Sequence, residues 1–98
     1  MYGLIIEHRA LAGRREDVEA VWAKHMKDAI AGNPGHRVYA YSYGPGEDRI
    51  VAFQVYDTQE QANDFLKHSS YKAYLAESRP LLARDPVITV LDVRWLKR

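Results

Sequence analysis

The chain has 98 residues, with a hydrophobic share of 47%, a charged share of 28% and a formal net charge of +1. This is the balance of an ordinary globular protein of one domain. Arg14-Arg15 is followed at once by Glu16-Asp17, so no basic stripe for nucleic acid is left. There is no cysteine, which excludes disulfides, thiolate metal ligands and cysteine nucleophiles.

Tyr2 to Leu11 is rich in β-formers and reads as the first strand, with Ala12-Gly13 as its exit. The chain opens on this strand without a charged leader, and no apolar run approaches the ~20 residues of a membrane span. A cytoplasmic protein without membrane contact is therefore expected. From Arg14 to Ala31 the period changes. Val18, Val21, Trp22, His25, Met26, Ala29 and Ile30 recur at three- and four-residue spacing, on one helical face. Gly32-Asn33-Pro34-Gly35 stops that helix.

His36 to Tyr43 and Arg49 to Tyr56 are the second and third strands, joined through Gly44-Pro45-Gly46-Glu47-Asp48 as a hairpin. Thr58 then caps a helix, with Gln61 completing a capping-box pattern, and this helix runs to about Lys67. A further helical segment from Ser70 to Ala83 is bent or ended early by Pro80. After the Asp85-Pro86 turn, Val87 to Leu96 is the last strand.

The order βαββαβ predicts an α+β, ferredoxin-like domain over residues 1–98 with a four-stranded antiparallel sheet. Two helical stretches cover one face of such a sheet. Yet Ile50-Val51-Ala52-Phe53-Gln54-Val55-Tyr56 is apolar on both sides, and so is Val87 to Trp95. A half-solvated strand would alternate. A second copy packed sheet to sheet is the simplest cover, which predicts a homodimer.

Several pieces, in this order and spacing, carry a resemblance. They are Glu7-His8-Arg9, Lys24-His25-Met26, Gly32-Asn33-Pro34-Gly35, Val55-Tyr56-Asp57-Thr58 and the block Phe65 to Tyr74. From Leu4 to about Leu82 the chain resembles the antibiotic biosynthesis monooxygenase family of the dimeric α/β-barrel group. The resemblance implies two copies forming one α/β barrel, and cofactor-independent oxidation of quinols or polyketide anthrones. Other members degrade haem or isomerise small sugar-derived phosphates. The haem-degrading branch places an Asn in the first strand, a Trp in the second helix and a His ligand shortly after. The matching positions here hold His8, Phe65 and Leu75, which argues against haem degradation. The histidine common in the family's second helix also falls at Phe65.

Two histidines are candidates for proton transfer. His25 reads either as a base facing the cavity or as a buried histidine satisfied by a backbone or tyrosine partner. The resemblance places a histidine here in isomerase-like members. His8 reads either as a cavity residue or as part of the dimer interface. His68 reads as solvated, and His36 receives no role. Tyr39, Tyr41 and Tyr43 share one face of their strand, and Tyr71 and Tyr74 lie about one helical turn apart. Such aromatic stripes serve as core or as a binding box. A cavity lined by Trp22, Tyr41, Phe65, Tyr71 and Tyr74 suits a flat aromatic ligand. Arg79 pairs with a ligand anion or with Glu77. No histidine spacing suits a metal, and no glycine-rich loop opens a helix.

These readings favour a small cofactor-independent monooxygenase that oxidises an aromatic quinol or polyketide-like phenol with oxygen. The base is His25 or His8, and a tyrosine hydroxyl holds the oxyanion. An isomerase or lyase on the same fold and a non-catalytic ligand-binding dimer are the alternatives.

Overall fold

In the computed structural model, which describes residues 1–97, β1 (Tyr2–Arg9) lies at the centre of the sheet. On one side it pairs with β3 (Arg49–Tyr56), which carries β2 (His36–Tyr43), and on the other with β4 (Val87–Asp92). All neighbours run antiparallel, with Leu4 opposite Gln54 and Val90, and Ala52 opposite Ile6 and Tyr41. The connections hold α1 (Arg15–His25), α2 (Lys27–Ala31), α3 (Gln59–Leu66), α4 (Ser69–Ser78) and a 3₁₀ turn over Arg79–Leu81. This is the α+β, ferredoxin-like arrangement expected from the element order.

Side chains alternate across a strand, so the register sorts the residues onto two faces. Leu4, Ile6 and His8 of β1 share the helix side with Ile50, Ala52, Gln54 and Tyr56 of β3, and all seven are buried. Met26, Ala62, Phe65 and Tyr74 close over part of this face from the helices. Each fully buried Leu, Met or Phe contributes about 1.5–3 kcal/mol from removal of apolar surface from water. The opposite face carries Ile5, Val51 and Phe53, half-buried, with no helix over them among the described residues. β4 lies beyond the helices: Val87, Ile88 and Val90 are 49%, 52% and 58% exposed.

The third helix begins as its sequence requires. The Thr58 hydroxyl accepts from the Gln61 backbone N–H at 3.3 Å, and the Gln61 side chain accepts from the Thr58 N–H at 3.3 Å. Three boundaries differ from the sequence reading. β1 stops at Arg9, because Ala10 turns away to bridge Leu82. The first helix is jointed at Met26, where φ is −108°, separating the turn tied to α4 from the turn that seats Met26 in the core. β4 ends at Asp92 instead of Leu96. Its one neighbour is β1, and the Val93 N–H already bonds to the Met1 carbonyl, so no partner strand remains. No helix among the described residues is long and apolar enough to cross a membrane.

Candidate functional site

Between the sheet and the helices lies a cavity of about 150 Å³. β1 gives it Ile6 and His8, β2 gives Tyr39 and Tyr41, and β3 gives Ala52, Gln54 and Tyr56. Trp22 and Met26 come from α1 and its joint, Phe65 and Leu66 from α3, and Tyr71, Tyr74 and Leu75 from α4. Leu66, Leu75 and Ile88 line it while being 37%, 37% and 52% exposed. The mouth therefore lies where α3 and α4 stop short of β4.

The walls are aromatic because β2 places a tyrosine at every second residue on this face. Trp22 stacks on Tyr41 with ring centroids 4.1 Å apart and on Tyr39 at 6.0 Å, and its indole N–H donates to the Tyr39 hydroxyl at 3.2 Å. Phe65 meets Tyr71 edge to face at 6.5 Å. Burial pushes the Tyr39 phenol up to about 12, and raises Tyr41, Tyr56, Tyr71 and Tyr74 as well. These hydroxyls stay protonated at neutral pH and so serve as donors.

His8 is a buried polar group on the cavity. Its Nε2 lies 3.2 Å from the Tyr74 hydroxyl, and its Nδ1 is buried with no partner. Burial pushes the imidazole down to about 4, so the ring is neutral at pH 7. The Tyr41 hydroxyl is also buried without a partner. Buried polar groups are nearly always hydrogen-bonded, and these two without a partner belong to residues that line the same cavity.

A hydrogen-bonded row borders the cavity. Asn33 Oδ1 accepts from the Gly35 N–H at 3.1 Å, and Asn33 Nδ2 lies 2.9 Å from His36 Nδ1. His36 Nε2 is 2.7 Å from the Tyr56 hydroxyl, which donates to Gln54 Oε1 at 2.6 Å. Burial lowers the His36 imidazole as well.

Of the residues singled out from the sequence, His8, Trp22, Tyr41, Phe65, Tyr71 and Tyr74 come together on the cavity. His8 sits on the helix side of the sheet and not at a sheet-to-sheet interface. His25 does not join them. It leans toward α4, with Nε2 3.3 Å from Glu77 Oε2, beside a Lys24–Glu77 ion pair at 2.8 Å. On the helix His25 lies at the edge between the sheet-facing and α4-facing sides, and the Glu77 carboxylate decides which it takes. Glu77 thus pairs with Lys24 and His25 and not with Arg79. His68 caps α4 by accepting the Ser70 N–H at 3.1 Å.

The sequence reading passed over His36, Gln54 and Tyr56. One signal was available for Gln54: alternation from Ile50 and Ala52 places it inward, where an amide needs a partner. For His36 there was none, because its contacts follow from register and from the Asn33 turn.

The architecture and this site define an α+β, ferredoxin-like protein with an aromatic-lined cavity between its helices and its sheet. The family model described as antibiotic biosynthesis monooxygenase matches residues 1–77, and the chain belongs to that family. Solved structures agree. A Chloroflexus aurantiacus protein provisionally named an antibiotic biosynthesis monooxygenase is 28% identical, with a TM-score of 0.74, covering 96% of this chain and 95% of its own. A Nitrosomonas europaea protein of the same provisional name is 14% identical, with a TM-score of 0.88 over 97% and 100% of the two chains. The protein Rv0793 from Mycobacterium tuberculosis is 18% identical, with a TM-score of 0.87 over 99% and 98%. Comparison with curated protein sequences gives no match.

Proposed function

We propose that the chain is a small monooxygenase that oxidises an electron-rich, single-ring phenol or quinol with molecular oxygen and without a cofactor. The observation that carries this reading is the pair of unpartnered buried groups, His8 Nδ1 and Tyr41 Oη, on residues that line a largely aromatic cavity. A space of about 150 Å³ matches one benzene-sized ring. A larger ring system would have to extend through the mouth beside Ile88.

In this mechanism Trp22, Phe65 and Tyr71 hold the ring. His8 Nε2–H donates to Tyr74, which leaves Nδ1 bare to take the phenolic proton. The Tyr41 hydroxyl donates to the resulting oxyanion. The electron-rich ring then reduces oxygen, and a C–O bond forms at a ring carbon. Loss of water breaks the O–O bond and the ring C–H bond and leaves a carbonyl, so that a phenol plus O₂ becomes a quinone plus water. The substrate supplies all four electrons.

The proton transfer also selects the substrate. Moving a proton from a phenol of ordinary pKa ~10 to an imidazole near 4 costs about 8 kcal/mol before compensation. Hydroxyls acidified by a conjugated carbonyl, or to a lesser degree by further ring hydroxyls, and ionised beside the imidazolium and the Tyr41 donor, lower that cost. Trihydroxybenzenes and carbonyl-substituted quinols fit better than simple phenol. Oxygen uptake with such a panel, corrected for autoxidation, tests the reading. Uptake should depend on the protein and fall by about 100-fold or more in His8→Ala. Uptake no greater than background, or unchanged in that variant, overturns it in favour of an isomerase or a binding protein.

The same reading includes a homodimer. Ile5, Val51 and Phe53 on the open face of the sheet, with Val87 on its edge, form an apolar surface of the kind that a second copy covers.

A further inference from the structure

The row from Asn33 to Gln54 has a direction that its chemistry dictates. The Gly35 N–H is a donor only, so the Asn33 atom that meets it is the oxygen, and Asn33 Nδ2 must face His36. An amide NH₂ donates, so His36 Nδ1 accepts and carries no proton. The neutral ring then bears its proton on Nε2, which donates to the Tyr56 oxygen at 2.7 Å. The Tyr56 hydroxyl proton is thereby left for Gln54, whose facing atom is the acceptor Oε1 at 2.6 Å. Each link removes one of two choices from the next.

The end of the row is the amide of Gln54, a buried side chain that lines the cavity and is only 5% exposed. With Oε1 committed to Tyr56, its NH₂ group is the donor that Gln54 has left to offer to the cavity it lines. We propose that Gln54 is a specificity residue that selects ligands carrying an acceptor oxygen, and that Asn33, His36 and Tyr56 are positioning residues that fix its amide. The proposal rests on the reading that an aromatic ring binds in this cavity, and it adds a second donor to Tyr41. A ring oxygen that gives its proton to His8 would receive one hydrogen bond from Tyr41 and one from Gln54. An amide free to flip would offer an acceptor as often as a donor, and would not distinguish an acceptor oxygen from a donor N–H. Protonation of His36 would set a donor against the Asn33 NH₂ and break the row, so the arrangement requires the neutral ring that burial favours.

Two measurements test this, and neither uses oxygen. The first is the ¹⁵N spectrum of the His36 ring in the wild-type protein at pH 7. The proton should sit on Nε2, and in Asn33→Ala the preference should relax toward a mixture. A wild-type ring protonated on Nδ1, or on both nitrogens, overturns the direction of the row. The second is binding of 4-fluorophenol and of fluorobenzene, read by ¹⁹F NMR, in the wild type and in Gln54→Leu. Loss of one neutral hydrogen bond should weaken 4-fluorophenol by about 2- to 10-fold and leave fluorobenzene within about twofold. Equal affinities of wild type and variant for both probes overturn the role of Gln54. A protein that oxidises no phenol at all can still give either result, so failure of the monooxygenase reading and failure of this one are separable.

Discussion

His8 ties the stability of the fold to pH, and the size of the effect follows from its burial. In the folded chain the imidazole is held down to about 4, whereas an exposed histidine titrates near 6.5. Between these values the unfolded chain binds a proton that the folded chain refuses, so stability rises with pH across that window. Acidification removes it. Relative to pH 7, the single site is worth about 2 kcal/mol at pH 5 and about 3 kcal/mol at pH 4, with no further loss from this site well below 4. That is a large part of the 5–15 kcal/mol typical of a small domain. Carboxylates and His36 titrate in the same region, so the assay must isolate His8. Urea unfolding of the wild type and of His8→Asn at pH 7, 6, 5 and 4.5 does so, because the other groups cancel in the difference. The wild type should lose stability on acidification more steeply than the variant, by about 2 kcal/mol between pH 7 and 5. Parallel curves would show that the imidazole protonates freely in the folded chain. The argument for a buried neutral base would then fail with them.

Thr58→Ala removes the acceptor for the Gln61 N–H and should lower the urea-derived stability by about 1 kcal/mol, with no change in the transition slope. Gly3→Ala places a methyl 2.7 Å from Val93 Cγ2 and 3.3 Å from Leu91 Cβ, where a stiff β-branched side chain must yield. A cost of about 1–3 kcal/mol in thermal or urea unfolding is expected. Phe53→Arg puts a charge at the centre of the open sheet face. In sedimentation velocity the species should shift from twice the chain mass to the chain mass, and a wild type that already sediments as a monomer refutes the dimer. Tyr41→Phe removes a hydroxyl that makes no bond within the described residues. It should leave stability within about 1 kcal/mol while weakening binding of a phenolate more than that of the ring without oxygen.

The fold was legible because its signals are local and redundant. The apolar β-forming run of β3, the three-and-four spacing from Val18 to Ile30, the Gly32 to Gly35 stop and the Thr58 capping box each point to the same arrangement. The misjudged boundaries are those set by distant partners: β4 ends where β1 runs out, and Ala10 leaves β1 for Leu82. The site divides in the same way. Aromatic residues at helical or strand spacing could be assigned to a face, and Trp22, Tyr41, Phe65, Tyr71 and Tyr74 do meet on one cavity. The two histidines part through different causes: strand register sets His8 on the buried helix side of β1, and Glu77 meets His25. Glu77, fifty-two residues from His25 in the chain, draws that ring to the α4 surface. His8 faces no such carboxylate and is left to the cavity with Tyr74. The partner that His25 finds thus depends on where Glu77 lands after folding, and periodicity carries no information about that. Moving the anion should therefore move the histidine. Glu77→Gln weakens the pull on His25, and a His25 ring that turned inward in that variant would restore the ambiguity that the sequence alone presents.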